Sequence, residues 1–283
     1  MNPEFAAEWV QGIAAGEIIP CLGAGALAGV TDPNTGEPIP AAGESLILAM
    51  NNGRPMSPRL MYEFSRAAMH VEQRRGRIAL ERFLTHTYGQ RQWTPSPLHR
   101  WLAALTPPYA IDLNRDTQWQ DAWATRPHLL VVGAARIMGS DYRFRLFEHD
   151  GTAYHPSTLE TADWSKPVLF KPLGTPRPEP GYVASDADFV DYITELMGGF
   201  AIPAPLKQYR RGKRYLLLGL RLTRDTERMV LSELMVDADE PAGWALIPVP
   251  TAKERRYCER KGLQIIEADI AALIHIAAAV PVA

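Results

Sequence analysis

Short apolar runs alternate with amphipathic segments of helical length through the last third of the chain. Two strands joined through a helix of this length run parallel in one sheet, because parallel pairing needs a long crossover connection. The runs are continuously apolar, which is typical of strands covered by helices on both faces of a sheet. The predicted strands are 215–219, 244–249 and 263–266, and the predicted helices are 223–235, 251–261 and 268–279.

The first two thirds of the chain add elements of the same kind. Apolar runs predict strands at 18–22, 109–111, 129–132 and 168–171. Apolar residues at helical spacing predict helices at 42–52, 57–71, 77–88 and 96–105, and we expect these to form a helical cap at about 42–105. Alternation around the turn signal Asp150-Gly151 predicts a small hairpin insertion at about 142–155.

These patterns together predict the fold class. We expect a single α/β domain over 1–283, built on a Rossmann-like doubly wound parallel sheet with a helical cap and a small hairpin insertion.

Composition excludes several classes of protein. The chain has 283 residues, of which 46% are apolar and 22% are charged, as in ordinary globular proteins. No apolar run approaches the roughly 18 residues of a membrane span, so we expect no membrane partner. Lys and Arg number 30 against 32 Asp and Glu, which argues against a protein that coats nucleic acid.

The two cysteines, Cys21 and Cys258, limit the disulfide and metal chemistry of the chain. They are too few for a disulfide framework or for a four-cysteine zinc site, so no zinc is expected. The first residues also lack the basic flank and apolar run of a secretory signal. These observations favour a reducing, cytoplasmic location.

A glycine loop follows the first predicted strand, where parallel sheets bind their ligands. In an open parallel sheet the ligand lies beyond the carboxyl ends of the strands. The bare amides of a loop such as Gly23-Ala24-Gly25-Ala26 favour an anion, for example a phosphate. The loop is not G-x-G-x-x-G, because Ala28 stands where the third glycine would be, and no Gly-Lys-Ser/Thr follows it. The residues alone therefore leave a tight turn and a phosphate cradle as equal alternatives.

Two further strand ends carry polar or small residues. Asn114 and Asp116 follow the strand predicted at 109–111. They could hold the hydroxyls of a sugar, but Asp116 could equally cap the next helix. Gly219 begins the segment 219–225, for which the simpler interpretation is a strand-to-helix turn.

In their order along the chain, these segments resemble the motifs of the bacterial sirtuin-like family. Segment 22–26 is similar to the G-A-G-x-S signature of the family, and 36–40 is similar to its G-x-P loop. Segment 111–116 resembles T-x-N-x-D, 171–174 falls where the family has K-L-H-G, and 217–225 resembles the late G-y-S-x-x-D turn. Segments 96–103, 185–193 and 255–266 are also similar to family elements, so the resemblance spans nearly the whole chain.

The resemblance implies a site for NAD. In the family the glycine loop wraps the NAD pyrophosphate, and the Asn and Asp of the central motif lie at the nicotinamide ribose. The absence of a cysteine quartet is similar to the zinc-free branch of the family. The residues that would bind NAD or ADP-ribose are Gly23, Ala24, Gly25, Ala26, Asn114, Asp116 and Gly219.

Three positions depart from the family motifs. Ala26 lacks the hydroxyl of the first signature, and Arg221 stands where the late turn usually has serine. Leu173 occupies the position of the catalytic histidine. A positioned general base contributes about 10²–10⁴-fold to a rate, and leucine has no lone pair with which to accept a proton. We therefore expect a sirtuin-like NAD-binding protein with weakened or absent catalysis, a pseudoenzyme that acts by binding NAD or a protein partner.

Two alternatives stay open. The chain could be an active NAD hydrolase or ADP-ribosyl-transferring enzyme in which a displaced base, His149 or His155, serves and Asn114 is catalytic. It could instead be a protein-binding scaffold that has lost NAD binding. His99 is interpreted as a structural helix residue. The expected small-molecule partner is of NAD type, and a protein partner or a homo-oligomer is left open.

Overall fold

The computed structural model describes residues 3–137 and 141–277, which form a mixed α/β structure. In these ranges the strands are β1 (Ile18–Leu22), β2 (Tyr109–Asp112), β3 (His128–Gly133), β4 (Phe144–His149), β5 (Tyr154–Ser157), β6 (Val168–Lys171), β7 (Gly174–Thr175), β8 (Gly181–Tyr182), β9 (Arg214–Leu218), β10 (Gly243–Leu246) and β11 (Leu263–Ile266).

The helices surround these strands. They are α1 (Pro3–Ala14), α2 (Gly43–Met50), α3 (Pro58–Met61), α4 (Phe64–Arg75), α5 (Arg77–Thr85), α6 (Pro97–Ala104), α7 (Gln118–Ala122), α8 (Asp186–Gly198), α9 (Ala204–Tyr209), α10 (Asp225–Leu234), α11 (Ala252–Arg260) and α12 (Ile270–Ala277). A 3₁₀ turn spans Ala24–Leu27 and a π-helical turn spans His86–Gln90.

Nine of the described strands form one sheet, in the order β11-β10-β9-β1-β2-β6-β3-β4-β5. The first seven in this order run parallel, while β4 and β5 are antiparallel at the edge. The predicted α/β class with a Rossmann-like, mostly parallel sheet is therefore confirmed. The hairpin expected at about 142–155 is made of β4 and β5, and it extends the main sheet because β4 pairs along the whole of β3.

Helices cover both faces of the sheet. Along β9, Tyr215 and Leu217 belong to one apolar cluster, and Leu216 and Leu218 belong to another on the opposite face. Helices α8, α9, α10 and α11 contribute to the first cluster, and α1, α6, α7 and α12 contribute to the second. Burial on both faces is the physical reason why these strands are continuously apolar in the sequence.

The region expected to form the cap divides into two parts. Residues of α2, α4 and α5 form a third apolar cluster, whereas α6 packs against the sheet through Leu98 and Leu102. The helix predicted at 57–71 is split into α3 and α4, because Glu63 has an extended backbone that interrupts it. The last predicted helix, 268–279, corresponds to α12, and residues 278–279 lie outside the described ranges.

The strand order places a crevice at the carboxyl ends of β1 and β9. These strands are neighbours, but β1 leads to β2 on one side and β9 leads to β10 on the other. Such a reversal is where open α/β sheets bind ligands. Within residues 3–137 and 141–277, no helix has the length and apolar character needed to cross a membrane.

Candidate functional site

The glycine loop after β1 packs directly against the residue that follows β9. Gly23 N donates a hydrogen bond to Leu218 O (2.9 Å), and Gly25 N donates one to Gly219 O (2.8 Å). Ala26 N donates to Gly23 O (2.9 Å) within the loop. The structure thus brings together two of the three segments that the sequence singled out, and it does so through backbone contacts.

These contacts explain the glycines without a ligand. A Cβ atom on Gly25 would lie 2.8 Å from Gly219 Cα, and one on Gly219 would lie 2.4 Å from Ala26 N. Gly219 also has a φ of 73°, which favours glycine. Because the amides of Gly23, Gly25 and Ala26 are all engaged by carbonyl groups, the tight-turn alternative accounts for this loop as it stands.

The third segment also reaches the glycine loop. Asn114 donates from Nδ2 to Gly23 O (3.0 Å) and to Asp112 Oδ1 (2.9 Å). Its backbone N donates to the same Asp112 oxygen (3.0 Å). Both amide hydrogens are thereby used, and no donor from the described residues contacts Asn114 Oδ1. The side chain therefore offers a ligand a hydrogen-bond acceptor.

A buried ion pair stabilises the carboxylate that orients Asn114. Lys171, the last residue of β6, places Nζ 2.7 Å from Oδ2 of Asp112, the last residue of the neighbouring β2. Both side chains are 0% exposed. Burial alone would raise the pKa of Asp112, but the charge and hydrogen bond of Lys171 outweigh it and hold that pKa below its ordinary value. Asp112 is thus an ionised carboxylate that orients Asn114.

Asp116 has a different environment although it lies only two residues beyond Asn114. Its Oδ1 accepts a hydrogen bond from Gln118 N (2.8 Å), the first residue of α7, although the N-cap position of that helix is Thr117 and not Asp116. Its Oδ2 is buried and has no hydrogen-bond partner among the described residues. Burial is the main cause of a raised pKa for Asp116. Asp116 thus favours its neutral form more than Asp112 does.

His99 lies beside these carboxylates, which its interpretation as a structural helix residue did not anticipate. Its Nδ1 is 2.8 Å from Ser96 Oγ, and Ser96 Oγ donates to Ala26 O (3.1 Å). Since a hydroxyl has one proton, we assign the Nδ1 proton to His99, which donates it to Ser96. Nε2 then points towards Asp112 Oδ2, 3.8 Å away, and has no hydrogen-bond partner among the described residues.

The side chains of His99, Asp112 and Asp116 form a buried acid–base cluster. One nitrogen or oxygen of each lies within 4.8 Å of those of the others, close enough to surround one small cation. Lys171 already neutralises Asp112, however, so a divalent ion would leave a net positive charge in a buried position. We therefore assign no metal to this cluster.

A cavity of about 400 Å³ opens at the crevice, and Gly23, Ala24, Asn114 and Asp116 are not among the residues that line it. Gly25, Ala26 and Gly219 form part of its wall. Two charged residues, Arg221 and Asp269, also line it. The larger apolar residues of its wall are Leu98, Leu220, Leu246, Pro248, Ile270 and Ile274.

The residues considered for catalysis are divided between the two ends of the sheet. Leu173 follows β6 at the carboxyl end and is 9% exposed within the apolar cluster that contains Leu113 and Val183. His149, on β4, pairs with His128 at the start of β3. His155 lies on the edge strand β5, where it pairs with Glu148 of β4. Both histidines therefore lie near the amino ends of the parallel strands. The structure does not bring the displaced base of the active-enzyme alternative to the crevice.

The sequence analysis assigned no site role to Asp112 and Lys171, and it interpreted His99 as a structural helix residue. A usable signal existed for the first two, because each is a charged residue directly after an apolar strand, and their charges are opposite. Carboxyl ends of parallel strands share one edge of the sheet, so such residues can pair. His99 offered no comparable signal, because its neighbours come from distant parts of the chain.

Comparison with known proteins does not identify a family. No model of a known protein family matches this chain, and a search of curated proteins finds no match.

Proposed function

We propose that this chain binds NAD or ADP-ribose at the crevice between β1 and β9 and has weakened or absent catalytic activity, as a zinc-free sirtuin-like pseudoenzyme. The single observation that carries the proposal is the cavity of about 400 Å³ at the reversal of strand order, against the glycine loop and Gly219. Small-molecule sites are typically cavities of about 300–1,000 Å³ with apolar walls and a few polar groups.

The chemistry of the crevice fits a dinucleotide. The apolar wall of the cavity offers a surface for a flat base. Asn114 Oδ1, which lies outside the cavity lining, can accept a hydrogen bond from a sugar hydroxyl. Asn114 follows β2 and Gly219 follows β9, and these strands flank β1, so the two positions are about 10 Å apart across the sheet. A ligand that reaches both the cavity and Asn114 must be long, with a flat base at one end and a hydroxyl group at the other.

Weak catalysis follows from the lack of a base at the position of Leu173. His99 lies nearby in the fold but is fully buried behind Ser96 and Ala26. A general base must come within hydrogen-bond reach of the proton that it removes. Asn114 would be catalytic only if the chain cleaved NAD. We also propose a cytoplasmic location, since the two cysteines are free and buried.

One observation favours the scaffold alternative. The amides of Gly23, Gly25 and Ala26 already donate to carbonyl groups, so a pyrophosphate would have to displace these bonds or find another donor. A chain that kept the fold but lost NAD binding would have such a closed loop. The two candidates differ in one measurable property, the affinity for NAD.

The test is calorimetric titration with NAD and with ADP-ribose, together with an assay for free nicotinamide. We expect binding of both ligands and nicotinamide release at the background rate. Ala271→Trp should abolish binding, because Ala271 lines the cavity and a tryptophan there would fill it. Ala14→Trp, at an exposed alanine that ends α1, is the matched control and should bind normally.

Three results would change the proposal. Wild-type protein that binds neither ligand at millimolar concentration would favour the scaffold. Rapid release of nicotinamide, abolished by Asn114→Ala, would favour the enzyme. Normal binding by Ala271→Trp would exclude the cavity as the site.

A further inference from the structure

The proposed ligand needs a group that binds phosphate, because three of the four amides of the glycine loop 23–26 already donate hydrogen bonds to carbonyl groups. In many nucleotide sites the backbone amides of such a loop hold the phosphate. Here the amides of Gly23, Gly25 and Ala26 donate to Leu218 O, Gly219 O and Gly23 O. A side chain with free donors at the same cavity would supply what the loop does not.

Arg221 is the cationic side chain that lines the cavity. It comes two residues after Gly219, so its position at the mouth follows from the end of β9. Its side chain is 61% exposed. Apart from the Glu254 contact of its Nε, no described residue pairs with the guanidinium, so both Nη groups are open to a ligand. Guanidinium groups match phosphate oxygens with two parallel hydrogen bonds.

Glu254 holds Arg221 in this position. Its side chain is fully buried, and Oε2 accepts hydrogen bonds from Thr251 N (2.8 Å) and Thr251 Oγ1 (2.7 Å) at the start of α11. Its Oε1 has no hydrogen-bond partner among the described residues and lies 3.6 Å from Arg221 Nε. A buried carboxylate fixed by its helix cap thus attracts one edge of the guanidinium and leaves the other edge facing away.

We infer that Arg221 is the phosphate-binding residue of the crevice, and that the ligand is an adenine nucleotide whose phosphate is held by this side chain instead of by the glycine loop. The inference rests on the proposed function and adds the chemical group that is recognised. The phosphate has two possible sources, the pyrophosphate of NAD and ADP-ribose or the 2′-phosphate of NADP. Both present the same oxygen atoms to a guanidinium.

The experiment compares wild type, Arg221→Ser, Arg221→Lys and Lys253→Ser by calorimetric titration with NAD, NADP and inorganic pyrophosphate. Lys253 is the matched control, because it is an exposed cation on α11 that does not line the cavity. We expect Arg221→Ser to weaken binding about 10- to 100-fold, as for the loss of charge-assisted hydrogen bonds. Arg221→Lys should lose less affinity, because lysine keeps the positive charge but lacks the planar guanidinium that donates two parallel hydrogen bonds. Lys253→Ser should bind as wild type does.

The NAD and NADP arms identify the source of the phosphate. If Arg221→Ser loses the same factor of affinity for NAD and for NADP, the phosphate that Arg221 binds is the pyrophosphate. Tighter wild-type binding of NADP, with the difference removed in Arg221→Ser, indicates the 2′-phosphate. Either result supports the inference.

Other outcomes overturn the inference and are distinct from failure of the proposed function. Nucleotide binding within twofold of wild type in Arg221→Ser overturns the inference while the proposed function stands. If no nucleotide binds but pyrophosphate binds in an Arg221-dependent way, the anion site stands and NAD binding fails. If wild type binds none of the three ligands, both fail. Arg221→Lys also keeps a cation beside Glu254, so it tests phosphate binding even if Arg221→Ser does not fold.

Discussion

Lys171 Nζ and Asp112 Oδ2 are 2.7 Å apart, and both side chains are completely excluded from solvent where two neighbouring strands end. The other oxygen of Asp112 accepts two hydrogen bonds from Asn114. One carboxylate therefore neutralises a buried ammonium and orients an amide at the edge of the crevice. This coupling of a buried ion pair to a candidate ligand-binding residue makes the centre of the site sensitive to single changes.

Asp112→Asn and Asp116→Asn should have very different costs although the chemical change is the same. Asp112→Asn leaves Lys171 buried without its counterion, and we expect a loss of about 3–5 kcal/mol of unfolding free energy. Burial raises the pKa of Asp116, which forms no ion pair with a described residue, so its exchange for a neutral amide should cost about 1 kcal/mol or less. Urea unfolding at pH 7 measures the loss of unfolding free energy in each variant. Equal costs would contradict the opposite directions in which the pKa values of the two carboxyl groups are shifted.

Glu227 should make stability fall as the pH rises. Burial, and then repulsion by Glu63, raises the pKa of Glu227 on α10 from 4.5 to about 7. Between these values the folded chain keeps a proton that the unfolded chain has lost, so unfolding becomes easier with increasing pH. The loss from pH 4.5 to 7 is at most about 3 kcal/mol. Glu227→Gln should remove this slope in unfolding experiments over that pH range. Parallel profiles for the variant and the wild type would show that Glu227 ionises normally.

Gly219→Ala should be much more destabilising than Gly212→Ala. Both glycines have a positive φ, 73° for Gly219 and 64° for Gly212. An alanine in this left-handed conformation lowers the free energy of unfolding by about 1–2 kcal/mol at either position. No atom lies within 4 Å of a Cβ on Gly212, whereas a Cβ on Gly219 would meet Ala26 N at 2.4 Å. The crowding brings the expected total for Gly219→Ala to about 2–5 kcal/mol. Thermal and urea unfolding compare the pair, and similar costs would mean that the loop contact is easily relaxed.

Leu173→His should give at best a small gain in nicotinamide release. The new imidazole would lie where the proposed sirtuin-like resemblance places a histidine, but it would be buried among apolar residues with no partner provided for it. We expect a loss of about 1–3 kcal/mol of stability from the unsatisfied ring nitrogen. Leu173→Met is the control, since it keeps the apolar contacts. A large gain in release by Leu173→His would show that the rest of the catalytic machinery is intact, and rapid release by the wild type would show that no histidine is needed at this position.

Patterns of local origin made much of the fold predictable. Helical spacing and apolar runs come from short stretches of chain, so the strands of the last third and the parallel character of the sheet followed directly from them. The break at Glu63 was missed because apolar spacing continues across it, and only the backbone of that one residue interrupts the helix. The hairpin at β4 and β5 was expected from alternation, but its place at the edge of the sheet depends on pairing with β3, which no local pattern encodes.

The sequence by itself located the ends of the strands to within a few residues, because strands end near where apolar runs stop; the strand predicted at 244–249, for example, ends at Leu246. It therefore indicated Gly23, Asn114 and Gly219 as neighbours in one crevice. Only the tertiary structure decided what these residues do there. Three amides of the loop donate to the carbonyl groups of Leu218, Gly219 and Gly23, and these bonds depend on how closely two strands approach each other. The charge state of the cluster around Asp112 likewise depends on burial and on contacts between residues far apart in the chain. Hydrogen bonds and desolvation act through distances in space, and the order of residues does not contain those distances.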